Sequence, residues 1–136
     1  MDYYDYLLSI NKLICDKSEV LTDNMKYFTT IGNAIQVALH SDSDYDLLYN
    51  SMYVAALIKL YQPFVDGNHR TALIVFGHIL SKKGFHFDFK KALNDMGRGQ
   101  LNIPTIYKES DCFSFPNEWN VYISRSVDRE KGAFSA

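Results

Sequence analysis

The chain has 136 residues, about one domain's worth, and 47% of them are hydrophobic, enough to bury roughly 65–70% of the surface that an unfolded chain of this size exposes. Intrinsic disorder is excluded, and a single domain over residues 1–136 is expected. Fourteen Lys plus Arg against sixteen Asp plus Glu leave a formal charge of −2, so no global field draws the chain to nucleic acid or to an anionic membrane, and any anion site must be local.

Tyr3, Tyr6, Leu7, Ile10, Leu13 and Ile14 recur at helical spacing, which predicts an amphipathic helix over the first fifteen residues. The same stretch carries Asp2 and Asp5 where a secretory signal carries positive charge and a long apolar run, so export by that route is not expected. A second helix is predicted from about Asp23, with Met25, Phe28, Ile31, Ile35 and Leu39 on one broad face. Ser41-Asp42-Ser43-Asp44 offers N-caps to a third, from about Asp46 to Tyr61, with Leu48, Met52, Ala55, Ala56 and Leu60 inward and Pro63 as its stop. From about Asn68 to Lys82 the pattern is apolar on most sides, through Ala72, Leu73, Ile74, Val75, Phe76, Ile79 and Leu80, which marks a central buried helix. Thr71–Leu80, the longest nearly apolar run, is about half the length a bilayer crossing needs.

Gly84 ends that helix. Phe85-His86-Phe87-Asp88-Phe89 alternates as a strand does, but no partner strand is legible, so it is read as an extended lead-in to a helix capped by Asp88. That helix carries Leu93 and Met96 inward and stops at Gly97-Arg98-Gly99. Residues 97–116 read as loop, and Pro116-Asn117 opens a last helix to about Glu130 that buries Trp119, Tyr122, Ile123 and Val127. The expected class is all-α. Cys15 and Cys112 lie far apart in sequence and form no C-x-x-C pair, so buried thiols in a cytoplasmic protein are expected.

The segment that carries chemistry is Gln62-Pro63-Phe64-Val65-Asp66-Gly67-Asn68-His69-Arg70-Thr71-Ala72-Leu73, a turn of small and polar residues at the start of the buried helix. Gly67 permits a tight or left-handed turn, and the free N–H groups of a first helical turn, with the positive end of the helix dipole, suit a phosphate. Arg70 adds a permanently charged fork matched to phosphoryl oxygens, and Asp66 can hold a hard cation such as Mg²⁺ that bridges them. Taken alone, Asp-Gly-Asn is an ordinary helix-initiating turn in which Asp66 and Asn68 are caps and Arg70 a solvated charge.

The wider string resembles the signature loop of the Fic/Doc (Fido) family, His-Pro-Phe-x-Asp/Glu-Gly-Asn-Gly-Arg, in register at Pro63, Phe64, Asp66, Gly67, Asn68 and Arg70. Six fixed positions match by chance on the order of once in ten million windows, at about 5% usage for each residue type. The resemblance is clearest over residues 20–96. It implies a compact helical domain that transfers AMP, or in the Doc branch the terminal phosphate, from ATP to a Ser, Thr or Tyr hydroxyl of a target protein. It also implies a possible separate antitoxin chain as a partner. By position, Asp66 would ligate Mg²⁺, Gly67, Asn68 and His69 would cradle phosphate through their amides, Arg70 would neutralise phosphoryl charge, and Phe64 would anchor the loop in the core. His69, where Doc-type loops carry Lys, and the ending Arg70-Thr71-Ala72-Leu73 resemble the Doc branch, since the usual Fic ending has a second Arg at the Leu73 position.

Gln62 departs from the pattern, because its position belongs in the family to the His that takes the proton of the target hydroxyl. A carboxamide has no basic nitrogen, and loss of a general base costs about 10²–10⁴ in rate. A naturally base-deficient chain and a His-to-Gln change introduced into a toxic protein both account for it. Two functions follow: a Doc-like transferase impaired by Gln62, or a non-catalytic module of the same fold that binds nucleotide or a protein. Of the other histidines, His78 is expected at a core boundary, and His40 and His86 belong to no zinc-binding pattern. Ser126–Glu130 and Thr105–Glu109 each fit the start of the [ST]-x-x-x-E-[GN] pattern of the family's inhibitory helix, and both are read as surface charge.

Overall fold

The computed structural model describes residues 3–16, 19–20 and 25–125. Its elements in order are α1 (Tyr3–Ile14), α2 (Tyr27–Leu39), α3 (Asp44–Tyr61), α4 (Asn68–Lys82), β1 (Phe85–Phe87), α5 (Phe89–Gly97), a 3₁₀ turn (Asn117–Tyr122) and β2 (Ile123–Arg125). Among the described residues the regular structure is helical apart from one two-stranded ribbon. None of the described helices is long and apolar enough to cross a membrane.

α3 and α4 form the centre. α4 is buried at Thr71, Ala72, Leu73, Val75, Phe76, Ile79 and Leu80, as its all-round apolar pattern predicts. α3 is buried on as many sides, at Leu47, Ser51, Met52 and throughout Val54–Ile58, where the spacing suggested a single inward face. It lies between α2 and α4, so two of its faces meet neighbours, and α1 packs on α2 and α4. Ser43 caps α3 by accepting the Asp46 N–H at 3.1 Å, and the helix begins at Asp44, two residues before the expected start.

Three expectations need correcting. Met25 precedes α2 and is exposed, because the helix starts only at Tyr27; Asp23 lies outside the described residues. On α1 the buried stripe is Leu7, Ile10 and Asn11, while Leu13 is 79% exposed. Phe85–Phe87 is a strand, and its partner is in the segment expected to be the last helix: β1 pairs antiparallel with β2, Phe85 opposite Arg125, His86 opposite Ser124 and Phe87 opposite Ile123. Trp119 and Tyr122 are buried as expected, but a spacing of three serves a 3₁₀ turn as well as an α-helix. The partner strand is far off in sequence, so only the folded chain brings the two together. Val127 and the rest of the expected helix beyond Arg125 lie outside the described residues.

The ribbon closes over the open side of α4. Phe76, Phe87, Trp119 and Tyr122 make an aromatic cluster: Phe87 and Trp119 are stacked at 6.2 Å, and Phe76 meets Trp119 edge-on at 5.4 Å. Trp119 Nε1 donates to Asn102 O at 3.2 Å, and Tyr122 donates its hydroxyl hydrogen to Asp95 at 2.6 Å. Asp88 caps α5, accepting the Lys91 N–H, and Leu93 and Met96 are half-buried against the core.

Candidate functional site

The connection between the two central helices is short, and both of its ends are left-handed. α3 closes on Gln62, whose N–H donates to Ile58 O at 2.9 Å and whose backbone sits at φ 43°, ψ 61°. Gln62 is the one described non-glycine residue with positive φ. A side chain held there costs on the order of 1–3 kcal/mol, and such strain gathers at functional sites. α4 begins after Gly67, at φ 76°. Added there, a Cβ would lie 2.9 Å from Cys15 Sγ and 3.1 Å from Asn11 Nδ2, so both conformation and space demand glycine.

Between these ends the turn is fastened by its own polar groups. Asn68 Oδ1 accepts the Phe64 N–H at 3.0 Å and Asn68 Nδ2 donates to Phe64 O at 2.9 Å, a two-way clamp on the backbone of one residue. Phe64, 1% exposed and edge-on to Phe28, pins the clamp to the core. Alongside, Val65 N–H donates to Glu19 O, and Val20 forms a bridge with Phe64. Buried Asn11 on α1 donates from Nδ2 to Asp66 O at 2.9 Å and to Thr71 Oγ1 at 3.2 Å, tying the turn to a third helix.

Gln62, Asp66, Gly67, Asn68, His69 and Arg70, the residues singled out by sequence, all line one cavity of about 300 Å³, together with Val65. α4 has no side-chain cap, and its first intrahelical bond is Thr71 N–H to Gly67 O at 2.9 Å. The amides of Asn68, His69 and Arg70 therefore have no acceptor within the helix. Gly67 differs: its N–H donates to Asp66 Oδ1 at 2.8 Å, so three amides of this turn, not four, have no acceptor among the described residues and can serve an anion. Asp66 Oδ2 stands 3.8 Å from Arg70 Nη2, and the two side chains are 79% and 40% exposed.

His69 has its pKa lowered, first by burial and then by the Lys59 ammonium, so the free protein holds a neutral imidazole there. Lys59, itself lowered by burial, donates from Nζ to Ile103 O at 2.6 Å and adds a cation next to His69, one turn before Gln62 on α3. Sequence reasoning missed Asn11 and Lys59. Asn11 left a trace, a polar residue one turn after Leu7 on the apolar stripe of α1; Lys59 left none, since only the packing of α3 on α4 brings it to the turn.

Comparison with protein-family models, with curated proteins and with solved structures finds no match to this chain. What the site can do is set by its own residues. No group of three or more His, Cys, Asp or Glu side chains gathers as a metal site among the described residues. Cys15 is half-buried beneath Gly67 and Cys112 is exposed, and both are free thiols. His78 lines a separate cavity, and Thr105–Glu109 is irregular backbone; Ser126–Glu130 lies outside the described residues.

Proposed function

We propose that the chain binds the phosphates of a nucleotide on the turn from Asp66 to Arg70 and belongs with the Fido-type transferases, which move AMP or, in the Doc branch, phosphate from ATP to a protein hydroxyl. In this chain Gln62 leaves the reaction without its base. The observation that carries the reading is convergence: every motif position with a polar role lines one cavity, at the uncapped N-terminus of a buried helix and beside Arg70. Open amides, a helix dipole and a guanidinium fork together suit a phosphoryl group.

Asp66 fits a magnesium site of the kind that Mg²⁺ makes with nucleotides, one carboxylate with phosphate oxygens and water supplying the rest. Its Oδ1 is steadied by the Gly67 N–H while the side chain is 79% exposed. Bound there, the ion would supply charge neutralisation between phosphates. Arg70 would swing from Asp66 to a phosphoryl oxygen, a small loss for an exposed pair. In the transfer, the target oxygen bonds to phosphorus, ADP or pyrophosphate leaves, and the hydroxyl proton needs an acceptor. The Gln62 carboxamide accepts none.

Leu73, in place of the second Arg, is fully buried and brings no charge to the cavity. This supports phosphate rather than AMP as the group moved. A co-substrate such as ATP fits a cytoplasmic protein, and a separate antitoxin chain is the partner expected to restrain it. A second reading, a non-catalytic module that binds nucleotide or a protein partner, is favoured by one observation, the missing base.

Calorimetry with ATP and Mg²⁺ tests the binding step: saturable binding that weakens with Arg70→Ala is expected, and no binding of ATP, ADP or inorganic phosphate would remove the proposal. Gln62→His, offered ATP labelled at the α or the γ phosphate with a panel of protein targets, should raise transfer by about 10²–10⁴ and leave the γ label on the target. An α label would reassign the branch. Transfer by the unaltered chain would point to neutral His69 as the base, which His69→Ala would remove, and silence of Gln62→His with binding intact would select the module.

A further inference from the structure

Between α1, α4 and β1 lies a second cavity, of about 370 Å³, that shares no lining residue with the phosphate site. Its walls are mostly apolar, with Leu13, Leu73 and Ile74 facing Phe87 and Phe89. Gly77 lets the Phe87 ring close onto α4 to form that wall, since a Cβ there would meet Phe87 Cδ2 at 2.9 Å. Leu13, at the rim, is 79% exposed and has apolar surface to bury. A pocket of this size and character, with a few convergent polar groups, is the usual form of a small-molecule site.

The polar groups are His78, Ser81 and His86, and among the described residues no acidic side chain lines the cavity. Tyr6 OH lies 2.9 Å from His78 Nδ1. Burial pushes the Tyr6 hydroxyl up to about 12, so it keeps its hydrogen, and a phenol donates better than it accepts. His78 is held neutral by burial and by the nearby Lys82 ammonium. In the tautomer whose Nδ1 accepts from Tyr6, the ring proton sits on Nε2 and can donate. Ser81 Oγ is spent on His78 O at 2.9 Å. In a chain of net charge −2, this apolar cavity therefore carries two imidazoles with a lysine close by, and none of its described lining residues is a carboxylate that would repel an anion.

We propose that this cavity binds a small amphipathic carboxylate, its aliphatic or aryl part against Leu13, Ile74 and Phe87 and its carboxylate toward the imidazoles of His78 and His86. The site is independent of the phosphate-binding turn and stands whether or not that turn binds nucleotide.

Octanoate and octanol, equal in length and different in charge, titrated into the full chain and followed by backbone amide NMR, test it. Octanoate should bind saturably, shifting Leu13, Ile74, Gly77, His78 and Phe87, and octanol should bind about tenfold more weakly, the worth of a hydrogen bond to a charged group. His78→Phe should erase that preference, and Ile74→Trp, which fills the cavity, should abolish binding while circular dichroism stays helical. Should His78→Phe fail to fold, the alcohol comparison and Ile74→Trp decide. The proposal falls if octanoate does not saturate, if octanol binds as tightly, or if the shifts map elsewhere. It falls equally if these resonances move on protein dilution alone, because a second copy then covers the cavity.

Discussion

The turn between α3 and α4 and the aromatic patch over α4 lie at opposite extremes of how a chain holds itself in place. The turn is held by directed polar contacts, most of them local: Asn68 clamps Phe64, Asp66 accepts from Gly67, and Asn11 reaches in from α1. The patch is held by dry contact among Phe76, Phe87, Trp119 and Tyr122, from segments distant in sequence. A polar turn can present open amides and an exposed Arg70 at little cost in stability. An aromatic patch stabilises through buried area and offers a ligand no free amide or charge, only apolar surface such as that of Phe87. The difference teaches where stability and binding should separate on substitution.

Trp119→Ala should do the most damage to the fold. Trp119 is fully buried and bonded to Asn102 O, and truncating such a side chain costs about 3–5 kcal/mol. Denaturant titration should show that loss, while the molecules still folded keep their phosphate affinity. A matching loss of affinity in the folded fraction would dissolve the contrast. Asn11→Ala should cost about 1–3 kcal/mol, because Asp66 O and Thr71 Oγ1 each lose a buried donor. It crosses the divide: stability falls as for a core residue, and phosphate affinity falls too, since the turn loses its tie to α1.

Arg70→Ala should leave stability within about 0.5 kcal/mol, its only described ion pair being a loose and exposed one with Asp66. Its effect should appear in phosphate binding alone, which calorimetry separates from the melting temperature. The smallest effect is on pH dependence. His69 and His78 have folded pKa values below the unfolded one, so the unfolded chain binds more protons in this range and stability rises with pH. The contribution is present above about pH 6.5, the unfolded histidine value, and is lost as pH falls below it. Thermal melts from pH 7.5 to 5.5 should show the decline, and it should shrink in His69→Gln and in His78→Gln.

Local pattern determined much of this molecule on its own. α4 from Asn68 to Lys82 is readable to within about a residue, because apolar positions all round, a glycine before it and a glycine after it admit few other structures. The turn was legible as a set of residues because its chemistry is short-range: a left-handed glycine, a clamp four residues long and a first helical turn all fall within one stretch of chain. Tertiary structure decided the rest. Only packing could show that Gly67 is required by Cys15 and Asn11 as well as by its own φ, that its amide is already taken by Asp66, and that Lys59 stands close enough to lower His69. Only the folded chain could join β1 to β2, since an alternating pentapeptide does not name its partner, and Trp119 to Ile123 carry a spacing that helix and 3₁₀ turn share. Contacts between distant segments depend on where the whole backbone passes, and no local window of sequence contains that information.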